Sequence, residues 1–292
     1  MPRRGVATYE TALLQRDWPA VADEWLKKTI HPVKVAQVDA TAPNVARVWN
    51  YLVGGRDNFE ADRKAARQLI AASPVMEQVA PASRAFHRRV IRFLTLEAGI
   101  RQFLDIGTGM PTAGNTHEVA QEAAPESRIV YVDNDPVVLA HARALLTSTV
   151  EGVTSYVDAD AADPGAIIEQ ARATLDFGAP VAVVLIDILN FIGDGAVVTQ
   201  ILRTLRAAMV PGSYLAVMQP ASDLDPSLEA AQRQWNQVAP TPVVLRPRAE
   251  VAGWTEGLDL VEPGVVPVTW WRPEDSGPPA AMPLYGFVAR KR

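Results

Sequence analysis

Four short apolar segments in the middle of the chain each lead into an aspartate. These aspartates are Asp105, Asp133, Asp160 and Asp187. The first is followed by a Gly-x-Gly turn made by Gly107, Thr108 and Gly109, and glycines let backbone amides approach a ligand where a side chain would collide. One aspartate after a strand is usually a cap or a solvated residue, but four at one sheet edge predict a binding site for a nucleoside or a phosphate.

These acids suit different parts of a nucleoside. Asp133 ends the second apolar segment, where a carboxylate can accept hydrogen bonds from both ribose hydroxyls. Asp160 follows the third segment and can accept from an adenine amino group, while the amide of Ala161 meets a ring nitrogen. Asp187 ends the fourth segment and is predicted to face the same crevice.

Other polar residues near these acids are predicted to cap helices. Asn115 and Glu118 have the spacing of a capping box. Asp135-Pro136 and Asp163-Pro164 each place a capping acid before a proline at the first helical position. We therefore expect these residues to be structural.

Strands that alternate with helices must position the four acids. Apolar segments occupy residues 101–107, 127–135, 153–160, 180–192 and 212–220, with helical stretches between them. Segments of this kind predict a parallel sheet that is covered on both faces. Two last segments, 264–271 and 283–291, are joined by a loop rich in Gly and Pro and should form an antiparallel hairpin. We predict an α/β fold with a Rossmann-like, seven-stranded, mostly parallel sheet, a C-terminal antiparallel hairpin, helices on both faces and N-terminal helices before it.

The chain before the sheet is predicted to be helical and to form two parts. Residues 1–40 read as an N-terminal helical appendage, residues 41–98 as a helical cap or lid, and residues 99–292 as the domain that carries the sheet. Within the cap, a helix is expected to be interrupted near Pro81. Tyr51, Asp57 and Asn58 flank a flexible pair of glycines and are candidate lid contacts with cofactor or substrate.

Composition excludes several classes of function. The 292 residues include no cysteine and four scattered histidines, so thiolate chemistry is excluded and a metal site is not expected. The net charge of -5 argues against a general nucleic-acid binder, which needs a concentrated basic surface. No long apolar run or secretory signal is evident, and we expect a cytoplasmic protein without a membrane partner.

Two further patterns concern arginine and tryptophan. Arg84, Arg88 and Arg92 recur every four residues and are predicted to form the solvated outer face of a helix, with Arg84 as a possible exception at the helix start. Trp270 and Trp271 are predicted to alternate across a hairpin strand, so that one of them lies in the core.

The motifs at the strand ends resemble those of class I S-adenosylmethionine-dependent methyltransferases: DIGTG, VYVDND, VDADAADP and LIDILNFIGD. More narrowly, residues from about 40 to 292 are similar to an actinobacterial methyltransferase family long catalogued as a domain of unknown function. The segments NVARVWNYLVGGRDNFEADR and EPGVVPVTWWRP carry this likeness.

The resemblance implies S-adenosylmethionine as cofactor and in-line methyl transfer to an acceptor. The modest net charge and the predicted lid favour a small molecule as this acceptor. It implies that Asp105 and the glycine turn hold the methionine and ribose parts, that Asn134 flanks adenine, and that Asp187 lies beside the sulfonium. Asn190 stands where many relatives have histidine. Since asparagine cannot act as a general base, no catalytic residue is predicted, and Asn190 is a candidate substrate contact.

Two other functions remain open from the sequence. An NAD-dependent oxidoreductase would also use an acid at the second strand tip, although the third glycine of its motif is absent and Pro111 interrupts the start of the helix. A protein that binds S-adenosylmethionine without transferring the methyl group would share every cofactor motif. Neither the acceptor nor the oligomeric state follows from the sequence.

Overall fold

The computed structural model describes residues 39–274 and 279–292, so the predicted N-terminal appendage lies almost entirely outside the described residues. Residues 40–292 form one unit. Its α-helices, in chain order, are α1 (Val45–Leu52), α2 (Glu60–Ala72), α3 (Met76–Leu96), α4 (Thr116–Ala123), α5 (Pro136–Leu145), α6 (Pro164–Ala171), α7 (Gly195–Ala208), α8 (Ser227–Val238) and α9 (Arg248–Gly253).

The strands form a single sheet. They are β1 (Gln102–Ile106), β2 (Arg128–Asp133), β3 (Val153–Asp158), β4 (Ala182–Ile186), β5 (Tyr214–Pro220), β6 (Leu258–Leu260), β7 (Val266–Pro267) and β8 (Leu284–Lys291). Their order is β3-β2-β1-β4-β5-β8-β6, and β7 also pairs with β8. Strands β1 to β5 are parallel, whereas β8 runs antiparallel to β5, β6 and β7. The predicted fold class is therefore confirmed.

The C-terminal part of the sheet differs in detail from the prediction. The hairpin partner of β8 is shorter than expected, because only Val266–Pro267 pair and a 3-10 turn follows at Val268–Trp270. Pro267 has no N–H for a longer ladder. The edge strand Leu258–Leu260 was not predicted, since three residues carry too little alternation to recognise. Trp271 is fully buried and Trp270 is 47% exposed, which confirms that one of the two lies in the core.

Two hydrophobic cores cover the two faces of the sheet. One core joins a face of the sheet to residues of α6, α7 and α9. The other joins the opposite face to α1, α2, α3, α4 and α8. The second core includes the edge-to-face contacts of Trp271 with Phe86 and Phe93, and it ties the N-terminal helices to the sheet.

Helix α3 is continuous, so the predicted interruption near Pro81 is wrong. Because proline has no N–H, Pro81 leaves the carbonyl of Glu77 without its usual helical hydrogen bond. Both residues are exposed, so water can replace that hydrogen bond. Buried residues before and after the proline, including Val79 and Phe86, hold the helix against the second core.

The predicted caps are confirmed. The Asn115 amide donates to Glu118 at 2.9 Å in a capping box, and the carboxylates of Asp135 and Asp163 accept from the first turns of α5 and α6. Among the described residues, no helix is both long enough and apolar enough to cross a membrane.

Candidate functional site

A cavity of about 490 Å³ opens at the carboxyl edge of the parallel strands. Its walls come from the loops that follow β1 to β4 and from helices α1, α2, α3 and α8. The candidate substrate contact Asn190 lines the cavity. So do all nine residues predicted to bind the cofactor: Asp105, Gly107, Thr108, Gly109, Asp133, Asn134, Asp160, Ala161 and Asp187. The parallel topology brings the four acids to one edge, as their strand-end positions require.

The glycine turn after β1 needs both of its glycines. Gly107 has φ +78, and a Cβ there would lie 2.7 Å from the side chain of Ile188. Gly109 has φ +61, and a Cβ there would meet nothing within 4 Å. Both backbones lie in the left-handed region that favours glycine, and the open space beside Gly109 leaves room for a ligand against its backbone.

Asp133 is held in place by backbone amides. One carboxylate oxygen accepts from the Gly109 amide at 3.0 Å, and the other accepts from the Asp135 amide at 3.0 Å. Burial raises the pKa of Asp133 above its ordinary value, although these amides oppose the effect. Because a carboxylate has about four acceptor positions, Asp133 keeps capacity for further hydrogen bonds. Asn134 and Asp160 are exposed at the cavity rim.

Asp105 belongs to a buried hydrogen-bond chain that the sequence did not reveal. Thr116 donates its hydroxyl proton to Asp105 at 2.5 Å, and Nε2 of His87 lies 2.8 Å from the same hydroxyl oxygen. A hydroxyl has one proton, so Nε2 of His87 must be the donor and Nδ1 carries the lone pair. Nδ1 has no protein partner, and burial lowers the pKa of His87. His87 lines the cavity as a neutral acceptor.

Arg84 is a cavity residue and not part of a solvated helix face. Its Nη2 donates to the carbonyl of Gly114 at 3.1 Å, while its Nε is buried without a hydrogen-bond partner. Burial lowers the pKa of Arg84, and no carboxylate of the described residues forms an ion pair with it. Arg88 and Arg92 are exposed, as predicted. The cavity wall thus contains an arginine that lacks an acidic partner.

Asp187 has an unusual backbone and a half-satisfied carboxylate. Its φ is +57. Apart from glycine, mainly Asn and Asp adopt this backbone conformation. Ser83 donates to its Oδ2 at 2.7 Å, whereas its Oδ1 is buried and has no partner in the described part of the chain. Burial raises the pKa of Asp187 to about 7. The side-chain oxygen of Asn190, which is 4% exposed, also has no partner.

The candidate lid residues Tyr51, Asp57 and Asn58 are not among the residues that line the cavity. Tyr51 belongs to α1, and Asn50 organises the loop that contains Asp57 and Asn58, because its Oδ1 accepts from the Asp57 amide at 3.0 Å and from Nδ2 of Asn58 at 2.9 Å. Asn50 itself does line the cavity, as does Trp49. Contact of Tyr51, Asp57 or Asn58 with a ligand stays a prediction.

Among the described residues, no group of three or more His, Asp or Glu side chains is arranged to hold a metal ion.

Comparisons of the sequence and of the structure with known proteins agree with each other. Residues 32–292 match a family described as S-adenosyl methyltransferase. The chain is 41% identical to a DUF574-family protein from Streptomyces avermitilis, over 87% of this chain and 99% of that one, with a TM-score of 0.83. It is 35% identical to a proposed methyltransferase from Thermobifida fusca, over 90% and 100% of the two chains, with a TM-score of 0.82. No functionally curated protein matches it.

Proposed function

Because the chain belongs to the S-adenosyl methyltransferase family, we propose that the cavity binds S-adenosylmethionine and that the protein transfers the methyl group in line to a small-molecule acceptor. The observation that carries this proposal is that the nine predicted cofactor residues line one cavity. A strand-edge crevice of this kind is where open α/β sheets bind their ligands.

The nucleoside end of the cofactor fits the rim of the cavity. Asp133 would accept from the ribose hydroxyls with the acceptor positions that the two amides leave free. Asp160 and the amide of Ala161 would bind the edge of adenine, and Asn134 would flank the ring. Buried polar groups normally have hydrogen-bond partners. The Thr108 hydroxyl, in the glycine turn, is buried and has none among the described residues. A ligand that lies against this turn would provide the missing hydrogen bond.

The amino-acid end fits the deeper wall. Arg84 would bind the methionine carboxylate, because its guanidinium has an unpartnered Nε and forms no ion pair within the described part of the chain. Asp105 would stand near the amino group, in keeping with its place at the end of β1. A charge-assisted bond between Arg84 and a carboxylate is worth about 1.5–3 kcal/mol, which is enough to orient one end of the ligand.

The protein's own contribution to the reaction is placement. When bound, S-adenosylmethionine supplies an electrophilic methyl group on a positively charged sulfur. The cavity walls exclude water from the reacting atoms and hold the acceptor in one orientation, and positioning of this kind can supply much of the rate. The cavity therefore supports catalysis even though the position expected for histidine carries Asn190.

The test is transfer of a labelled methyl group. Purified protein is incubated with methyl-tritiated S-adenosylmethionine and with small-molecule fractions of a cell extract. We expect one or more fractions to yield a labelled product together with S-adenosylhomocysteine. Asp133→Asn should lose most of this activity, whereas Asp158→Asn, at the exposed end of the neighbouring strand and in register with Asp133, should keep it. Silence in every fraction from protein that binds the cofactor would favour a binding protein without transferase activity.

A further inference from the structure

The cavity has a second half whose walls are apolar. We call it the acceptor chamber, and it is lined by Val48, Trp49, Met76, Leu228, Trp235 and Val243. These residues come from α1, α3, α8 and the loop after α8. The chamber is built to keep its shape, because the indole N–H of Trp235 donates to the carbonyl of Thr241 at 2.8 Å.

Polar groups at the chamber wall are mostly committed to the protein. The side-chain amide of Gln232 donates to the carbonyl of Val243 at 2.8 Å, and Asn50 is occupied by the loop that follows α1. Two hydrogen-bond acceptors are different: Oδ1 of Asp187 and Oδ1 of Asn190 are buried and have no partner among the described residues. A buried acceptor without a partner costs about 1–3 kcal/mol, so both atoms are suited to a ligand that brings a donor.

The charges around the cavity limit the ligand further. Arg84 is the one arginine or lysine among the described residues that line the cavity, and the cofactor carboxylate accounts for it under the proposed function. The other charged side chains there are aspartates. An acceptor with a carboxylate or a phosphate would therefore find no cation in the chamber and would be repelled by the acids.

We propose that the acceptor is an apolar molecule with a hydroxyl or amine group, and that Oδ1 of Asp187 and Oδ1 of Asn190 receive this group at the site of methylation. This inference rests on the proposed function and adds the substrate class. It moves Asp187 from the cofactor to the acceptor. Because Ser83 occupies Oδ2 of Asp187, the free oxygen has a fixed direction, and the backbone at φ +57 holds it there.

In the transfer step, the acceptor oxygen or nitrogen forms a bond to the methyl carbon with its lone pair. The carbon–sulfur bond breaks and leaves its electron pair on sulfur. The proton of the acceptor passes to Oδ1 of Asp187, which later releases it to water. Burial raises the pKa of Asp187 to about 7, and a group of this strength can both accept and release a proton near neutral pH.

The experiment compares three probes of the same size on protein saturated with S-adenosylhomocysteine, with affinities measured by ligand-observed NMR titration. The probes are 2-naphthol, which has an apolar body and one donor, 2-methoxynaphthalene, which lacks the donor, and 2-naphthoate, which is an anion. We expect 2-naphthol to bind on the order of tenfold more tightly than either of the others, because only it satisfies the buried acceptors.

Asn190→Leu separates this proposal from a general apolar preference. The variant should reduce the advantage of 2-naphthol over 2-methoxynaphthalene to a few-fold and leave the affinity for S-adenosylhomocysteine unchanged. Asn190→Ala is measured beside it in case leucine disturbs folding. Asp187→Asn has one side-chain oxygen, which accepts from Ser83 as in the unaltered protein, so an amide N–H replaces the free acceptor and the advantage of 2-naphthol over 2-methoxynaphthalene should fall in this variant too.

Two results would overturn the proposal: binding of 2-naphthoate as tight as that of 2-naphthol, or an undiminished preference for 2-naphthol in both Asn190 variants. Failure of S-adenosylhomocysteine to bind the unaltered protein is a separate outcome. It would contradict the proposed function itself, and it is seen before any probe is added.

Discussion

Asp187→Asn is expected to stabilise the protein at neutral and alkaline pH. The substitution removes a buried charge and changes little else, since asparagine has the same shape and adopts a positive φ such as the +57 of this residue as readily as aspartate does. The hydrogen bond from Ser83 has an oxygen to accept it in either residue. The comparison therefore isolates the cost of the carboxylate charge.

The size of the effect follows from the pKa of Asp187. Burial raises it from 3.8 to about 7, so the folded protein keeps a proton on this group that the unfolded chain loses at lower pH. Stability from this group is full below about pH 4 and is lost as the pH rises to about 7. A shift of roughly three units corresponds to about 4 kcal/mol, which is an upper value because the residue keeps some exposure and Arg84 partly offsets the shift.

The assay is urea unfolding of the unaltered protein and of Asp187→Asn between pH 5 and pH 8. The free energy of unfolding of the variant should exceed that of the unaltered protein by up to about 4 kcal/mol at pH 8, and the excess should fall to about 2 kcal/mol at pH 5. Other titrating groups are present in both proteins and cancel in the difference. A difference that does not change with pH would refute the reasoning, because it would mean that the carboxylate titrates alike in both states.

Three further predictions concern the cavity and the core. Arg84→Met should weaken S-adenosylmethionine binding at least tenfold through loss of a charge-assisted bond. The control Arg92→Met, on the exposed side of the same helix, should leave binding unchanged. Equal effects of the two substitutions in calorimetry would show that Arg84 does not bind the cofactor. Trp271→Ala, at a fully buried position, should cost about 3–5 kcal/mol of unfolding free energy, whereas Trp270→Ala at a position 47% exposed should cost less than about 1 kcal/mol. Nitrogen-15 NMR should find His87 neutral at pH 6.5 with its proton on Nε2, since burial lowers its pKa; an imidazolium or a proton on Nδ1 would contradict the hydrogen-bond chain.

The strand-end part of the cavity could be predicted because its signals are local. Each strand tip is marked by an apolar run that ends in an acid or in a Gly-x-Gly turn, and a parallel sheet brings all such tips to one edge. The structure places Asp105, Asp133, Asp160 and Asp187 around one cavity for that reason. Capping patterns are equally local, which is why Asn115 could be assigned to a cap.

The rest of the cavity depends on contacts between distant parts of the chain. The hydrogen-bonded residues Ser83 and Asp187 are 104 positions apart in the sequence. His87 and Thr116, which also contact each other, are 29 positions apart. Helical periodicity identified the buried face of α3, but it could not reveal that Arg84 meets the loop after β1. That contact depends on how α3 packs on the sheet.

The acceptor chamber was missed for a related reason. Its wall includes Trp235 and Leu228 of α8, a helix with ordinary amphipathic spacing and no motif. Apolar residues at helical spacing are core in most proteins, and only the packing of α8 against α2 shows that these two residues also line a cavity. The hydrogen bonds of Asp57 and Asn58 to Asn50 were also not predicted, because their partner lies in α1, before the pair of glycines.

The most direct test of the central claim is calorimetric titration of the unaltered protein with S-adenosylmethionine and, separately, with NAD. We expect saturable binding of one S-adenosylmethionine per chain and no saturable heat with NAD, since the strand-edge cavity offers Arg84 and Asp105 to an amino-acid end and lacks the third glycine of a dinucleotide motif. Saturable binding of NAD with no response to S-adenosylmethionine would contradict it.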